Sequence, residues 1–184
     1  MKKGCVFMLI VMVMILISCN KRNIYTCKER CEKNLFVADV KSCIKKCLPK
    51  KDERWIYVLG AEGIEYWMDT KSIKKLNEDI WQCWVFAEVK PGGWGHEKTV
   101  EFLKKLGVSE EEAKTVRQVF RLWEINFRKK EYSIIQTSMY DEKGNIVYSF
   151  DPSLLRAFVG LPISKPITPN SDDEAMAETV ELWR

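Results

Sequence analysis

Four cysteines near the N-terminus have a spacing that predicts two disulfide bonds. Cys27 and Cys31 form one Cys-x-x-x-Cys pair, and Cys43 and Cys47 form a second pair after eleven intervening residues. Residues four apart share one face of a helix with Cβ atoms about 5–6 Å apart, too far for a bond within either pair. An antiparallel helical hairpin places the pairs at the same register, which predicts Cys27–Cys47 and Cys31–Cys43. The third connectivity needs parallel helices, which the short loop forbids.

A four-thiolate zinc site is the alternative for these cysteines, since the spacing can also supply four sulfur ligands. Each disulfide would stabilise the chain by roughly 2–4 kcal/mol, enough to hold a short hairpin with little core of its own. Pro49 is expected to end the second helix, so the hairpin covers residues 27–49. Cys83 lies in an apolar stretch and is expected to be a buried free thiol.

The start of the chain predicts export and lipid attachment. Two lysines precede an uncharged apolar run from Val6 to Ile17, which is too short to span a bilayer and is typical of a secretory signal. The run ends in the residues LISC (16–19), which resemble the lipobox of bacterial lipoprotein signals. The resemblance implies that residues 1–18 are removed and that the Cys19 thiol is acylated. An ordinary signal peptide followed by a chance cysteine is the alternative.

Export and acylation together predict where the protein resides. An oxidising compartment favours disulfides over zinc for the hairpin cysteines. Several acyl chains on Cys19, such as palmitate, would give lasting attachment, because a single chain binds a membrane only marginally. Asn20 differs from the Asp-type retention signal of enteric bacteria, which favours the outer membrane. We therefore expect a lipid-anchored protein of the bacterial cell envelope, with residues 19–26 as a tether.

Charge is distributed unevenly along the chain. The whole sequence carries a net charge of +4, whereas residues 21–50 carry nine Lys or Arg against three acidic residues, a net charge of +6. This basic segment either lies against anionic headgroups, at about 1 kcal/mol per nearby cation, or is a solvated helical surface. The nearly neutral total of an exported chain disfavours nucleic acid as a partner.

From Arg54 onward the pattern changes to alternating apolar and aromatic residues, as in strands. The predicted strands cover 55–58, 64–68, 80–87, 120–127, 132–140 and 146–150. Helices are predicted over 99–106, after Ser109, and from Ser171 to about Trp183. Short turns between consecutive strands imply an antiparallel sheet. The predicted fold class is α+β: a single antiparallel sheet with helices packed on one face, preceded by the disulfide-linked helical hairpin.

Several short stretches of the second part carry a family resemblance. They are Trp55-x-x-Val58, residues 66–73, the strand at Trp81, Tyr140-Asp141-x-x-Gly144 and Ile167-x-Pro169-x-Ser171. Together they make residues 53–184 resemble the surface-adhesin protein E-like domain of bacterial lipoproteins. The resemblance implies one antiparallel sheet backed by helices, and adhesion to host matrix and plasma proteins.

Side chains that could support catalysis are few. His96 is the only histidine, and it follows Trp94-Gly95 in what is expected to be a solvated loop. Common phosphate-binding, hydrolase, haem and metal motifs are absent from the sequence. We therefore expect no enzymatic activity, cofactor, metal or small-molecule substrate.

One basic stretch, interleaved with aromatic residues, is the candidate partner surface. The same alternation also occurs in ordinary half-buried strands. The charged residues of this stretch are Arg117, Arg121, Arg128, Lys129 and Lys130.

Two interpretations of function remain from the sequence. The first is a lipid-anchored, non-catalytic envelope protein that holds a protein partner through its sheet domain, as an adhesin does. The alternative is a periplasm-facing structural or assembly lipoprotein of an envelope complex, with the hairpin as a membrane-proximal spacer or docking element.

Overall fold

The protein folds into one antiparallel sheet and, in the part that the structure describes, five helices. The computed structural model describes residues 23–34, 39–61, 63–151 and 164–184. The helices are α1 (Ile24–Glu32), α2 (Val40–Cys47), α3 (Trp94–Lys105), α4 (Glu110–Ala113) and α5 (Asp172–Trp183). The strands are β1 (Trp55–Ala61), β2 (Ile64–Asp69), β3 (Lys74–Lys75), β4 (Ile80–Val89), β5 (Val116–Asn126), β6 (Glu131–Asp141), β7 (Ile146–Phe150) and β8 (Lys165–Pro166). The predicted signal peptide, the lipobox and Cys19 lie outside the described residues.

The strands run in the order β1-β2-β4-β5-β6-β7, while β3 pairs with β4 and β8 pairs with β6. Every pairing is antiparallel. The longest pairings join β5 to β4 and to β6, so β5 lies in the middle of the sheet. The predicted fold class is confirmed.

The helices cover one face of this sheet. Side chains alternate between the two faces of a strand, and Cys83, Val85, Ala87 and Val89 of β4 therefore point the same way. All four are buried. The first two pack in a cluster with α1, α2 and α5, and the last two pack beneath α3 and α4. Two clusters of core residues thus lie side by side on the same face.

The hairpin forms with the predicted disulfides. Cys27–Cys47 and Cys31–Cys43 are bonded, with Cα–Cα distances of 5.7 Å and 5.9 Å. Because all four sulfurs are used in this way, the zinc alternative is wrong. Helix α1 begins at Ile24 because Asn23 is its N-cap, so the last residues of the predicted tether are helical.

The hairpin shares its core with the sheet, where a spacer apart from it was expected. Ile24, Ile44 and Leu48 are buried in the same cluster as residues of β1 and α5. The contact also has polar components: the Tyr25 hydroxyl donates to the Ser171 carbonyl oxygen over 3.0 Å. These buried residues make the hairpin part of the domain's packing.

Helix α3 begins five residues before the predicted position. The Gly-rich turn that was expected to continue through His96 ends at Gly93, which serves as the N-cap with an extended backbone. His96 consequently lies in the first turn of α3 and is only 8% exposed. The prediction of a solvated loop histidine is therefore wrong, because packing against the sheet extends this helix. Within the described ranges, no helix is long and apolar enough to cross a membrane.

Candidate functional site

A groove of about 380 Å³ crosses the helix-covered face of the sheet between α3 and α5. It exists because the two core clusters do not meet. On β5, Val119 is covered by the cluster under α3 and α4, and Trp123 by the cluster under α5. Arg121 points to the same face between them, and none of the described helices covers it. The groove is therefore a gap between the described helices, with a central strand as its floor.

The lining of the groove combines aromatic and apolar side chains with a few charges. The walls come from Phe102 of α3 and Met176 of α5. The aromatic residues of the floor and sides are Tyr66, Trp123, Tyr132, Tyr148 and Phe150. Its charged residues are Arg121, Lys165, Asp172 and Asp173. An apolar recess with a few placed polar groups is typical of a site that holds a ligand.

Arg121 is the half-buried cation of the groove. It lies opposite Val85 on β4 and Thr137 on β6, so its backbone is fixed from both sides. Three other described arginines pair with carboxylates, as Arg54 does with Asp69 over 2.6 Å. By contrast, Arg121 makes no ion pair with any described residue. Its neighbour is the Tyr66 phenol, to which the guanidinium donates a hydrogen bond. No described carboxylate therefore forms an ion pair with the charge of Arg121.

The acids of the groove wall are already engaged. Asp173 lies in the first turn of α5, where a negative charge interacts favourably with the helix N-terminus. Burial raises the pKa of Asp173, and the Tyr132 hydroxyl and the Lys165 ammonium partly offset that rise. Asp172, in the same turn, is exposed to solvent. Neither acid makes an ion pair with Arg121.

Tyr66 and Tyr132, two tyrosines of the groove, are held in their neutral form by raised pKa values. Burial, followed by the charge of Asp173, raises the pKa of Tyr132 to about 12. Burial also raises the pKa of Tyr66, an effect that the guanidinium of Arg121 partly offsets. These phenols can therefore donate hydrogen bonds at any physiological pH.

Trp123 adds an unsatisfied donor to the lining of the groove. Its ring is 4% exposed and stacks on Tyr132, with centroids 4.7 Å apart. The indole N–H has no hydrogen-bond partner among the described residues. The lining therefore contains a buried donor that no described acceptor satisfies.

The five predicted basic residues fall in three places. Arg121 lies in the groove. Arg117 lies at the start of β5, four residues earlier, which corresponds to about 13 Å along a strand that rises ~3.3 Å per residue. The Arg117 guanidinium donates to the Lys114 and Val116 carbonyl oxygens over 2.8 Å and 2.7 Å. The remaining three, Arg128, Lys129 and Lys130, are exposed in the turn between β5 and β6. Arg128 lies 3.7 Å from Asp79.

A larger cavity, of about 740 Å³, lies between α3 and α4. Its charged side chains pair with each other: Glu110 with Lys114, and Glu101 with Lys105. His96 borders it, with Nε2 3.0 Å from the Lys114 carbonyl oxygen. Glu97 also lines it, exposed to solvent in the first turn of α3, where its charge interacts favourably with the helix N-terminus. This cavity therefore presents no half-buried charge comparable to Arg121.

The sequence did not indicate most of the groove residues. Tyr66, Tyr132 and Asp173 come from three separate elements, and only the fold brings them together around Arg121. The available signal was the alternation on β5, which places Arg121 among residues that face the core. Among the described residues, no cluster of three or more His, Cys, Asp or Glu side chains could hold a metal ion.

The sequence matches no protein-family model and no curated protein. Among solved structures, the chain is similar to the crystal structure of protein E from non-typeable Haemophilus influenzae. The two share 18% sequence identity with a TM-score of 0.39, over 71% of this chain and 78% of that chain. This likeness is loose, and the function of this chain is therefore inferred from its own residues.

Proposed function

We propose that this chain is a lipid-anchored, non-catalytic binding protein of the bacterial cell envelope. Cys19 attaches it to the outer membrane, and the sheet domain holds a protein partner. The observation that carries the binding role is the groove between α3 and α5, in which a half-buried arginine without a carboxylate lies among aromatic residues.

The residues of the groove support binding rather than catalysis. Its lining contains no histidine or cysteine. Its two acids occupy the first turn of α5, where they stabilise the helix. The free thiol, Cys83, is fully buried in the core beneath the helices. Aromatic residues and arginine are instead the types that dominate the energetics of protein–protein contacts.

The disulfide-linked hairpin supports the proposed location in the cell envelope. Two disulfides, Cys27–Cys47 and Cys31–Cys43, need an oxidising compartment to persist. Such a compartment agrees with the export signal and the lipobox that the sequence predicts before the hairpin. Only three residues separate Cys19 from Asn23, the N-cap of α1, so the anchored domain would lie close to the membrane surface.

Lipid attachment is tested with a Cys19→Ala variant expressed in the native host beside the unchanged protein. We expect the unchanged protein to incorporate labelled palmitate and to sediment with outer-membrane vesicles, and the variant to do neither. Equal labelling of both proteins would disprove acylation at Cys19.

The partner is sought by affinity capture of the full mature protein from membranes solubilised in mild detergent. We expect a reproducible envelope protein, and its loss when the groove is filled by Thr137→Trp. A melting curve of that variant, with its disulfides intact, checks that the fold is kept. Absence of any reproducible partner would overturn the binding role.

Protease treatment of intact cells separates the two interpretations of the binding role. An adhesin-like protein faces outward and is cleaved, whereas a periplasm-facing assembly lipoprotein is protected until the outer membrane is permeabilised. Protection in intact cells would eliminate adhesion while leaving envelope assembly.

A further inference from the structure

The groove has the chemistry of a site for the end of a polypeptide chain. We propose that it binds the C-terminal carboxylate of the partner, with Arg121 pairing with that carboxylate and the aromatic lining receiving the last side chain. This inference rests on the proposed function, since it specifies which part of the partner is held.

The charge of the floor favours a carboxylate. A partly buried guanidinium without an anion is unfavourable, and arginine's planar fork matches a carboxylate with two parallel hydrogen bonds. Arg121 has no such partner among the described residues, although Arg54 on the same domain does. The neighbouring Tyr66 phenol, kept protonated by its burial, can donate to the same anion.

The acids of the wall do not supply the missing partner. Asp173 is engaged with Tyr132 and Lys165, and its pKa is raised by burial. Asp172 lies beside it in the first turn of α5, exposed to solvent. Because the helix N-terminus compensates part of their charge, these two acids repel an incoming carboxylate less than isolated ones would.

The size and position of the groove favour a chain end over an internal acidic residue. Its volume of about 380 Å³ is near the lower limit of small-ligand cavities, which hold roughly 300–1,000 Å³. Arg121 projects from β5, which is paired on both sides by β4 and β6, so it lies in the middle of the sheet and not at an edge. A terminal residue can reach this floor without the rest of the chain entering between α3 and α5.

The aromatic part of the lining selects the last side chain. Phe102 of α3 and Met176 of α5 line its walls, and Trp123, Tyr132 and Phe150 line the rest. These surfaces favour a large apolar residue at the terminus. Recognition of a free carboxyl group together with one apolar side chain is an established way to bind peptide ends.

The test uses the full mature protein, immobilised in detergent, and two libraries of hexapeptides. Both libraries have random internal positions and end in Phe, Leu or Met; one ends in a free carboxylate and the other in an amide. We expect the free acids to be enriched about tenfold or more over the amides, as for a charge-assisted pair. Enrichment should fall to background in Arg121→Gln and to an intermediate level in Arg121→Lys, which keeps the charge but loses the fork.

Arg128→Gln is the matched control, because Arg128 is exposed and lies outside the groove. It should leave the enrichment unchanged. Melting curves show whether the Arg121 variants remain folded. Equal capture of acids and amides, capture that persists in Arg121→Gln, or selection of amides with internal Asp or Glu would overturn the proposal. If affinity capture still retains an envelope partner in that case, the proposed function stands and only the site is wrong.

Discussion

Cys83 shows how position alone determines the chemistry of a side chain. It is fully buried, and burial followed by the charge of Asp69 raises the pKa of its thiol from 9.0 to about 12. Since the thiolate is the reactive form, a thiol with this pKa is inert at neutral pH. Its role is to fill space beneath α5, opposite Trp123 on the neighbouring strand.

We predict that Cys83 does not react with an aromatic disulfide reagent at about pH 8 while the protein is folded. In denaturant without reductant it should react fully, because unfolding returns its pKa to the ordinary range. The measurement is the absorbance of the released thiolate from a chain that begins at Asn20 and so lacks the Cys19 thiol. A Cys83→Ala variant of that chain is the control that gives no signal in either state. Rapid reaction of the folded protein would contradict the burial of this thiol.

Four tyrosines ionise late in the folded protein. Burial and nearby carboxylates raise the pKa of Tyr25 and Tyr132 from 10.0 to about 12, and burial raises the pKa of Tyr57 and Tyr66. A raised folded-state pKa stabilises the protein below the unfolded pKa, and this stabilisation disappears as the pH rises through the folded value. We therefore predict that the free energy of unfolding falls between about pH 10 and pH 12.

Urea unfolding at several alkaline pH values measures this loss, and absorbance at ~295 nm reports the ionised tyrosines. Tyr132→Phe should weaken the pH dependence in that window because it removes one of the four groups. Ionisation of all tyrosines together near the pKa of the free amino acid would show that the phenols are exposed.

At the scale of elements, the hairpin follows from sequence spacing. Cysteines four residues apart necessarily share a helical face, and a short loop forces the antiparallel pairing that the structure confirms. The turn between β6 and β7 is similar: Asp141 accepts backbone hydrogen bonds from Lys143 and Asn145 over 2.9 Å and 2.8 Å. Gly144 takes a positive φ of 84° there, which glycine adopts without strain. Local chemistry of this kind is readable from the sequence.

The start of α3 and the groove could not be predicted from the sequence in the same way. A Gly-rich stretch weakens a helix by about 1 kcal/mol per glycine, so the sequence favoured a loop through His96. Burial of Val100 and Leu103 against the sheet outweighs that preference. The groove depends on a gap between described helices that are far apart in sequence. Periodicity on β5 could place Arg121 on the core side, but it could not reveal that α3 and α5 leave Arg121 uncovered.

The two disulfides of the hairpin differ in the loop they close. Cys27–Cys47 joins residues 20 apart, and Cys31–Cys43 joins residues 12 apart. In the chain-entropy account each contributes roughly 2–4 kcal/mol, the longer loop about 0.4 kcal/mol more. We predict that the double variant Cys27→Ser, Cys47→Ser lowers the free energy of unfolding, measured in urea, by roughly 2–4 kcal/mol. The loss should slightly exceed that of the double variant Cys31→Ser, Cys43→Ser. A negligible loss for both pairs would mean that packing alone holds the hairpin.

At the scale of the whole molecule, the N-terminal hairpin and the C-terminal helix close one core. Ile24 and Leu48 are 1% and 2% exposed, and they pack in one cluster with Ile56 of β1 and Val180 of α5. An ion pair of 2.6 Å between Lys28 and Glu178 lies at the rim of the same contact. The hairpin and α5 are thus held together beside the sheet.

This arrangement predicts that the sheet domain does not fold stably without the hairpin. Each fully buried aliphatic side chain contributes roughly 1.5–3 kcal/mol, and removal of residues 19–49 deletes Ile24, Ile44 and Leu48 and exposes Ile56 and Val180. The summed loss is comparable to the 5–15 kcal/mol that holds a typical domain together. A chain that begins at residue 50 should therefore bind a hydrophobic dye and lose its cooperative melting transition. A chain that begins at Asn23 keeps α1 and should melt like the mature protein. If the shorter chain melts cooperatively and does not bind the dye, the sheet domain folds without the hairpin, and the hairpin is a separate spacer.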